Sequence, residues 1–266
     1  MKNRLFGIMG IFLFVIAVIF SSCKSNVGNG DDRKTVAIGN VAYRYITLDD
    51  KTSSDPTIAS IISPFRDKLS KDMERVIGFA PKSMFKGRPE GALSNFCADL
   101  LLEESAKFAK ERLGDQKVDF AMLNNGGLRV PINQGNITVE NIFQLMPFEN
   151  EVVMLQLNGK QVKTFLNHIA SRGGESMAGV HLVIKDRKAS KVTINGEKLL
   201  PEKNYWLITS DYIADGGDGS GVLKDAIKRE NLSVKLRDLF INYIEEQTKA
   251  GKEITATLDG RIKNGK

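Results

Sequence analysis

Histidine and cysteine are scarce in this sequence, with two of each among 266 residues. His168 and His181 fall in different predicted elements, and neither belongs to an Asp-x-His or Gly-Asn-His-Asp run. A centre of two metal ions needs several His, Asp and Asn ligands to activate water and to hold phosphoryl oxygens. The sequence therefore predicts that this chain has no such centre and that both His side chains are structural or solvated.

Signatures of other hydrolytic chemistry are also missing. We find no Gly-x-x-x-x-Gly-Lys-Ser/Thr loop and no Ser-His-Asp signature in the sequence. The formal net charge is +6, but the basic residues are spread along the chain and form no block. This mild excess is compatible with anionic small ligands or a membrane surface, and we expect no nucleic-acid partner.

The N-terminus holds the longest apolar run. Lys2 and Arg4 precede the apolar stretch 5–20, which is followed by Ser-Ser-Cys at 21–23. A basic start, a short apolar run and small residues are typical of a secretory signal, and the run is short for a membrane span. The Cys directly after small residues resembles a bacterial lipobox. We therefore expect residues 1–22 to be a signal peptide and Cys23 to be lipidated; the alternative is an uncleaved anchor with an incidental Cys.

This expectation makes the protein an exported, membrane-anchored lipoprotein of the bacterial cell envelope. Residues 23–35 are polar and would form a flexible tether, and residues 36–266 would form one domain. With Cys23 acylated, Cys97 would be the remaining thiol, so no disulfide is expected within the chain. Its apolar neighbours predict a small core residue.

Helical and strand periodicities are mixed along the chain without a strict βαβ repeat. Asp55 and Pro56 predict the start of the first helix, and Pro64 is expected to kink that helix or delay its start. Asn195-Gly196 predicts a hairpin turn. The fold class is therefore α/β of the α+β kind, with helices outside mixed sheets. The predicted helices span 55–78, 92–113, 138–145, 161–171 and 235–247, and the predicted strands span 36–48, 118–123, 151–157, 180–184, 191–194 and 205–213.

Two predicted strands end in polar, glycine-rich loops. The first loop is Asn-Asn-Gly-Gly-Leu-Arg at 124–129, and the second is Asp-Gly-Gly-Asp-Gly at 215–219. Gly126 and Gly127 predict a tight turn with positive φ, where backbone N–H groups can approach a bound group closely. Arg129 offers a fork of donors for phosphate or carboxylate. We expect the two loops to form one pocket, although the first loop alone is compatible with an ordinary turn and a solvated Arg.

These motifs occur in a specific order. The sequence has, in turn, Asn-x-x-x-Asp (95–99), the first loop, Pro-Phe-Glu-Asn (147–150), an Asn-Gly-Lys turn with a helix (158–169), Ser-Asp-Tyr-Ile-Ala-Asp-Gly-Gly-Asp-Gly (210–219) and Asp-Gly-Arg-Ile (259–262). Over roughly residues 36–262 this order resembles the C-terminal domain of the 5′-nucleotidase and UDP-sugar hydrolase family. The resemblance implies a four-layer α/β/β/α single domain that binds the nucleoside and part of the phosphate.

The resemblance also implies roles for residues of the two loops. Asn124 and Arg129 would contact polar groups of the substrate. Gly126, Gly127 and Gly217 are further predicted substrate-binding positions.

Two rings and a carboxylate complete the predicted site. By resemblance, Phe148 and Tyr212 would sandwich the base. Any base can be held in this way, because every base has a π-face. Asp218 would accept hydrogen bonds from ribose hydroxyls, and Arg88 is the nearest match to a further family Arg. Each of the first three has a structural alternative: Phe148 could fill the core, Tyr212 could point its ring inward, and Asp218 could bond its own backbone in a turn.

The family members that hydrolyse nucleotides carry an N-terminal metallophosphatase domain, which this sequence does not match. We expect no cofactor in this chain, and divalent metals only in a separate metallophosphatase polypeptide at the same membrane. The predicted function is the nucleotide- or nucleoside-binding half of a 5′-nucleotidase-type phosphohydrolase in nucleotide catabolism or salvage, inactive alone. The alternatives are a non-catalytic nucleoside- or nucleotide-binding lipoprotein for scavenging or sensing, and a scaffold without a ligand.

Overall fold

The computed structural model describes residue 52, residues 55–114 and residues 116–265. The predicted signal peptide, the tether, Cys23 and the strand 36–48 lie outside the described residues. The chain from Asp55 to Lys266 forms one compact unit. Within the described ranges, no helix combines the length and apolar character that crossing a bilayer requires.

Helices and strands are interspersed along this unit. The described helices are α1 (Pro56–Met73), α2 (Ala92–Arg112), α3 (Val139–Leu145), α4 (Gly159–Ser171), α5 (Asp211–Ala214) and α6 (Leu236–Lys249), with 3₁₀ turns at Gly217–Gly219 and Gly221–Asp225. The described strands are β1 (Val76–Ala80), β2 (Phe120–Leu123), β3 (Gly135–Thr138), β4 (Glu151–Asn158), β5 (Ser176–Ala178), β6 (Val180–Lys185), β7 (Lys188–Ile194), β8 (Glu197–Lys198), β9 (Asn204–Ser210), β10 (Lys228–Lys235) and β11 (Ile262–Asn264).

The strands form two larger sheets and one two-stranded ribbon. The five-stranded sheet has the order β10-β4-β9-β2-β5, the four-stranded sheet has the order β11-β6-β7-β8, and β1 pairs with β3. Strands β2 and β9 are parallel, as are β11 and β6, and the other pairs are antiparallel. The sheets are therefore mixed, and Asn195-Gly196 forms the predicted turn between β7 and β8, with positive φ at both residues.

The five-stranded sheet has a hydrophobic core on each face. Along β4, Val152 and Met154 belong to a first core with α2 and α6, while Val153 and Leu155 belong to a second core with α4 and the four-stranded sheet. This alternation is the period of two that a strand imposes on its side chains. The predicted α+β class, with helices packed on mixed sheets in one domain, is confirmed.

The first predicted helix is correct at its start and wrong at its end. Asp55 caps α1 by accepting from the backbone N–H groups of Thr57 and Ile58 at 2.8 and 3.2 Å, and Pro64 does not delay the start. However, α1 ends at Met73, and residues Val76–Ala80 form a strand against β3. A Cβ on Gly78 would lie 2.6 Å from a methyl carbon of Ile244 on α6. This segment is thus placed by tertiary contacts rather than by helical periodicity.

The last predicted strand, 205–213, is also shorter than its apolar run. Strand β9 ends at Ser210, whose hydroxyl caps the short helix α5 by accepting from the N–H of Ile213 at 3.4 Å. Tyr212 therefore lies on a helical turn instead of at the end of a strand. The helical backbone at this position, in place of the predicted strand, sets the direction of the Tyr212 ring.

Candidate functional site

The two glycine-rich loops meet beyond the ends of β2 and β9. Because these strands are parallel neighbours, their carboxyl ends lie at the same edge of the sheet. A cleft of about 390 Å³ opens between the loops. Its lining residues are Asn124, Gly126, Gly127, Arg129, Phe148, Asn150, Tyr212 and Asp218. The structure thus brings the two loops into one pocket, as the sequence predicted.

The Asp218 carboxylate is the centre of the polar contacts in this cleft. It accepts a hydrogen bond from the Asn124 amide at 2.8 Å and one from the Tyr212 hydroxyl at 3.2 Å. The Arg172 guanidinium lies 3.8 Å from the same carboxylate, and the ring of His168 donates from Nε2 to the Asp218 carbonyl at 2.8 Å. The orientation of Asp218 is therefore fixed from the first loop, from α5 and from the C-terminal end of α4.

The two predicted rings are exposed in the cleft. Phe148 is 52% exposed and Tyr212 is 45% exposed. These fractions exclude the alternatives in which Phe148 fills the core or Tyr212 points its ring inward. Large exposed aromatic faces beside a polar pocket are chemically suited to stacking against a flat ligand.

Positive φ in the first loop is a wrong prediction. Neither Gly126 nor Gly127 has a left-handed backbone, whereas Gly216, Gly219 and Asp218 in the second loop do. At Gly127 the constraint is space, because a Cβ there would lie 3.0 Å from the Asn124 side-chain oxygen. Glycine at this position therefore leaves room for the side chain that holds Asp218.

Gly217 lies directly against Tyr212. A Cβ on this residue would lie 2.5 Å from the Tyr212 carbonyl oxygen and 2.6 Å from two ring carbons of Tyr212. Gly217 is not among the residues that line the cleft. Its contact with the pocket is through the Tyr212 ring.

Arg88 also lies outside the lining of the cleft. Its Nε donates to the Gly174 carbonyl at 2.8 Å, and its Nη2 pairs with the Glu175 carboxylate. Glu175 is 2% exposed and accepts from the backbone N–H of Asn125 in the first loop at 2.6 Å. Arg172 is a second partner of Glu175 at 3.2 Å. Arg88 therefore sits behind the first loop, and its role as a substrate-binding residue stays a prediction.

Sequence reasoning missed three residues of this neighbourhood. Asn150 lines the cleft and belongs to the same Pro-Phe-Glu-Asn motif as Phe148, so the signal for it was present. Arg172 and His168 reach Asp218 from the end of α4. No local pattern in the sequence indicates that contact, although the prediction of a structural role for His168 agrees with it.

The first and last motifs of the ordered series lie against each other away from the cleft. Arg261 pairs with Asp99 and Asp259 and donates to the Met177 carbonyl at 3.0 Å. Hydrogen bonds from Arg261 lower the pKa of Asp259 from 3.8 to about 2. Asn95 donates to the Thr257 carbonyl at 2.8 Å. These motifs therefore tie the C-terminal segment to α2 and β5.

Cys97 is fully buried in the first core, and burial raises the pKa of its thiol, as expected of an unreactive core residue. Within residues 55–114 and 116–265, no group of three or more His, Cys, Asp or Glu side chains is arranged to hold a metal ion.

Comparison with protein families identifies the domain class of this fold. Residues 76–225 match the family model described as "5′-nucleotidase, C-terminal domain". The chain therefore belongs to the family of proteins that contain this domain.

Relatives with sequence similarity are longer proteins. The chain is 25% identical over 254 residues to the trifunctional nucleotide phosphoesterase protein YfkN of Bacillus subtilis, a match that covers 88% of this chain and 17% of YfkN. It is 31% identical over 174 residues to protein UshA of Escherichia coli, covering 60% of this chain and 29% of UshA. With the 5′-nucleotidase of Homo sapiens the identity is 26% over 245 residues, covering 82% of this chain and 42% of that protein. The chain thus spans less than half the length of these relatives.

Solved structures show the same fold. The crystal structure of a 5′-nucleotidase precursor from Thermus thermophilus aligns with a TM-score of 0.66 at 24% identity, covering 78% of this chain and 43% of that one. The NAD nucleotidase of Haemophilus influenzae aligns with a TM-score of 0.59 at 18% identity, covering 82% of this chain and 42% of that one.

Proposed function

We propose that this chain is the nucleotide- or nucleoside-binding half of a 5′-nucleotidase-type phosphohydrolase in nucleotide catabolism or salvage. The observation that carries the proposal is the single cleft that holds two exposed rings, Phe148 and Tyr212, beside the Asp218 carboxylate. Membership of the 5′-nucleotidase C-terminal domain family supports a nucleotide as the ligand.

The chemistry of the cleft fits the parts of a nucleotide. The two rings would stack on the base, at about 1–3 kcal/mol per base–aromatic contact. Asp218 would accept from ribose hydroxyls, since each carboxylate oxygen has two lone pairs and the Asn124 and Tyr212 bonds use only part of this capacity. Arg129 is exposed, and among the described residues its guanidinium donates a hydrogen bond from Nη1 to the Gly126 carbonyl at 3.3 Å. Its other donors would bind phosphate.

Hydrolysis would require a separate metallophosphatase polypeptide that supplies divalent metals and the attacking water. Support comes from two relatives that are named as a nucleotide phosphoesterase and a 5′-nucleotidase, of which this chain matches 17% and 42%. Lipidation of Cys23, directly after the signal sequence, would hold this chain at the membrane of the cell envelope where the partner polypeptide acts. The partner, the anchor and the localisation are parts of this proposal.

Nucleotide binding can be measured by calorimetric titration of the purified chain with AMP and adenosine. Phe148→Ala and Tyr212→Ala should each weaken binding by about 10- to 100-fold, the equivalent of losing one stacked ring. The matched control is Phe85→Ala, which removes a ring that is 60% exposed and outside the cleft; it should bind as the unaltered chain does. Equal affinity in all four proteins would contradict the assigned cleft.

The need for a partner is tested by phosphate release from AMP with Mn²⁺, Zn²⁺ or Co²⁺. The chain is assayed alone and together with any exported metallophosphatase that is encoded nearby. Release only in the mixture supports the split enzyme. Binding without release in either assay favours the alternative, a non-catalytic binding lipoprotein, and release by the chain alone contradicts the proposal.

A further inference from the structure

A second, larger groove lies at the opposite end of α4 from the nucleotide cleft. It has a volume of about 680 Å³ and begins at Gly159. His168, whose ring donates to the Asp218 carbonyl, lies nine residues further along the helix, about 14 Å away at 1.5 Å per residue. The two sites have no lining residue in common, so the groove is independent of the proposed nucleotide site.

Four lysines on α4, β7 and β8 are among the residues that line the groove. These lysines are Lys160, Lys163, Lys191 and Lys198. No acidic residue occurs among the described residues that line it. The positive end of the α4 dipole adds to the potential at the same place. The groove is therefore a site of concentrated positive charge.

These lysines lack the carboxylate partners that surface lysines often have. In the described part of the chain, none of the four forms an ion pair within 4.0 Å, and the neighbouring Glu197 pairs with Lys203 at 3.6 Å instead. Lys163 donates to the Ala189 carbonyl, which holds its side chain across the groove. An anion entering here would not have to displace an internal carboxylate.

The backbone around the groove is built to place these groups. A Cβ on Gly159 would lie 1.9 Å from the Leu200 carbonyl oxygen, so glycine allows the segment after β8 to lie directly on the first turn of α4. Opposite, the pairing of β6 and β7 shifts register between His181 and Val183. This bulge includes Lys191, which has a φ of 48°, and bulges re-aim side chains.

The floor of the groove is apolar and contains no flat ring. Val192, Leu199 and Pro201 form most of it, together with the lysine stems. Among the described lining residues none is aromatic, so a nucleobase would have no stacking partner. A flexible aliphatic chain matches such a floor better, with its charged end among the ammonium groups.

We propose that this groove binds an anionic amphiphile, namely a phosphate headgroup that carries an aliphatic chain. The same chemistry is available from a free alkyl or acyl phosphate and from the headgroup region of an anionic phospholipid. The two halves of the ligand are both required, because the lysines recognise the phosphate and the floor recognises the chain.

The site can be tested on the full chain by lysine labelling with an amine-reactive ester, read residue by residue by mass spectrometry. Octyl phosphate, at a concentration below micelle formation, should slow labelling of the four groove lysines by about threefold or more. Lys228 and Lys252, which are also exposed, should label at an unchanged rate and serve as internal controls. Inorganic phosphate and octyl glucoside each supply only half of the ligand and should protect little.

The source of the amphiphile is distinguished by vesicles in place of octyl phosphate. Protection by phosphatidylglycerol vesicles, and not by phosphatidylcholine vesicles, assigns the groove to a membrane headgroup. Protection by octyl phosphate but by neither vesicle assigns it to a free ligand. No selective protection of the groove lysines, or equal protection by inorganic phosphate, overturns the proposal.

A pair of charge-matched variants completes the test. Lys160→Glu/Lys191→Glu should abolish the protection of Lys163 and Lys198, whereas Lys228→Glu/Lys252→Glu should retain it. All four substituted side chains are exposed, and a thermal melt of each variant checks that the fold is kept. Undiminished protection in the first variant would contradict the proposal.

Discussion

At the scale of single residues, Asp218 is the centre of the polar contacts in the cleft. Side chains from the first loop, from α5 and from α4 converge on its carboxylate, which is 27% exposed. The residue itself has a left-handed backbone with a φ of 52°. Its orientation is therefore set before any ligand arrives, and the proposed recognition of ribose needs no rearrangement of this group.

Substitution of Asp218 by Asn should separate ribose recognition from base stacking. A hydrogen bond to a charged group contributes about 1.5–3 kcal/mol, so adenosine should bind about 10- to 100-fold more weakly to Asp218→Asn. The affinity for 2′,3′-dideoxyadenosine, which lacks both hydroxyls, should change much less. Calorimetry with both ligands measures this difference, and Asp225→Asn, an exposed carboxylate outside the cleft, is the control. A parallel loss for both ligands would refute the assigned role.

Gly217 should act on binding through the Tyr212 ring. In Gly217→Ala the new methyl group must displace the ring and carbonyl of Tyr212, since it would lie 2.5–2.6 Å from them. AMP affinity should fall by at least about 10-fold, within the range expected for a lost stacking contact. Gly221→Ala is the matched control, because a Cβ there meets nothing within 4 Å. Calorimetric titration measures the affinity of both variants for AMP. Equal affinities would show that the position of the Tyr212 ring does not affect binding.

At the scale of elements, the ion pairs of Arg261 connect the end of the chain to α2. The guanidinium is largely buried and is shared between Asp99 and Asp259, with a further bond to the Met177 carbonyl. Asp259 keeps 44% of its side chain exposed, so solvent screens this part of the cluster. A modest contribution to stability is therefore expected, with a pH dependence that follows from the pKa.

The pH dependence should be visible in Asp259→Asn. The pKa of Asp259 is lowered from 3.8 to about 2 in the folded chain, so its contribution is complete above about pH 4 and is lost as the pH falls towards 2. At pH 6 the variant should be less stable by about 1 kcal/mol or less, and the difference should shrink below pH 4. Urea unfolding at pH 6, 4 and 3 measures it, with Asp225→Asn as the control. A difference that grows on acidification would contradict this assignment.

Element assignments from periodicity were correct where the apolar pattern was long and local. The helices α2, α4 and α6 and the strands β2, β4 and β6 lie close to their predicted ranges. The short strands β3 and β8 and the polar strand β10 were not predicted, because their backbone conformation depends on pairing with distant strands. The periodicity of α1 was recognised, but its apolar residues remain exposed, with Phe65 at 75%; sequence pattern alone does not say what a helix face contacts.

At the scale of the whole molecule, the five-stranded sheet is shared by both hydrophobic cores. Phe165 of α4 is fully buried in the second core, and the single Trp, Trp206, packs in the first. Because alternate residues of the same strands belong to the two cores, loss of packing on one face removes support from the other. The two cores are therefore expected to unfold together.

This cooperativity can be tested with Phe165→Ala. Truncation of a buried Phe costs about 3–5 kcal/mol, and the midpoint of urea unfolding should fall equally by far-ultraviolet circular dichroism and by Trp206 fluorescence. Phe85→Ala, at a 60% exposed position, should change the unfolding free energy by less than about 0.5 kcal/mol. A Trp206 transition that stays in place while the dichroism shifts would show that the cores unfold separately.

The sequence by itself determined the fold class, the two glycine-rich loops and all but Asn150 of the residues that line the cleft. These features depend on local patterns: apolar periods, turn residues and short motifs in a fixed order. Only the tertiary structure decided that Arg88 pairs with Glu175 behind the first loop, that His168 and Arg172 reach Asp218, and that four lysines surround an apolar groove. These contacts join residues far apart in the chain. Their geometry arises when helices and strands pack together, and no local pattern encodes it.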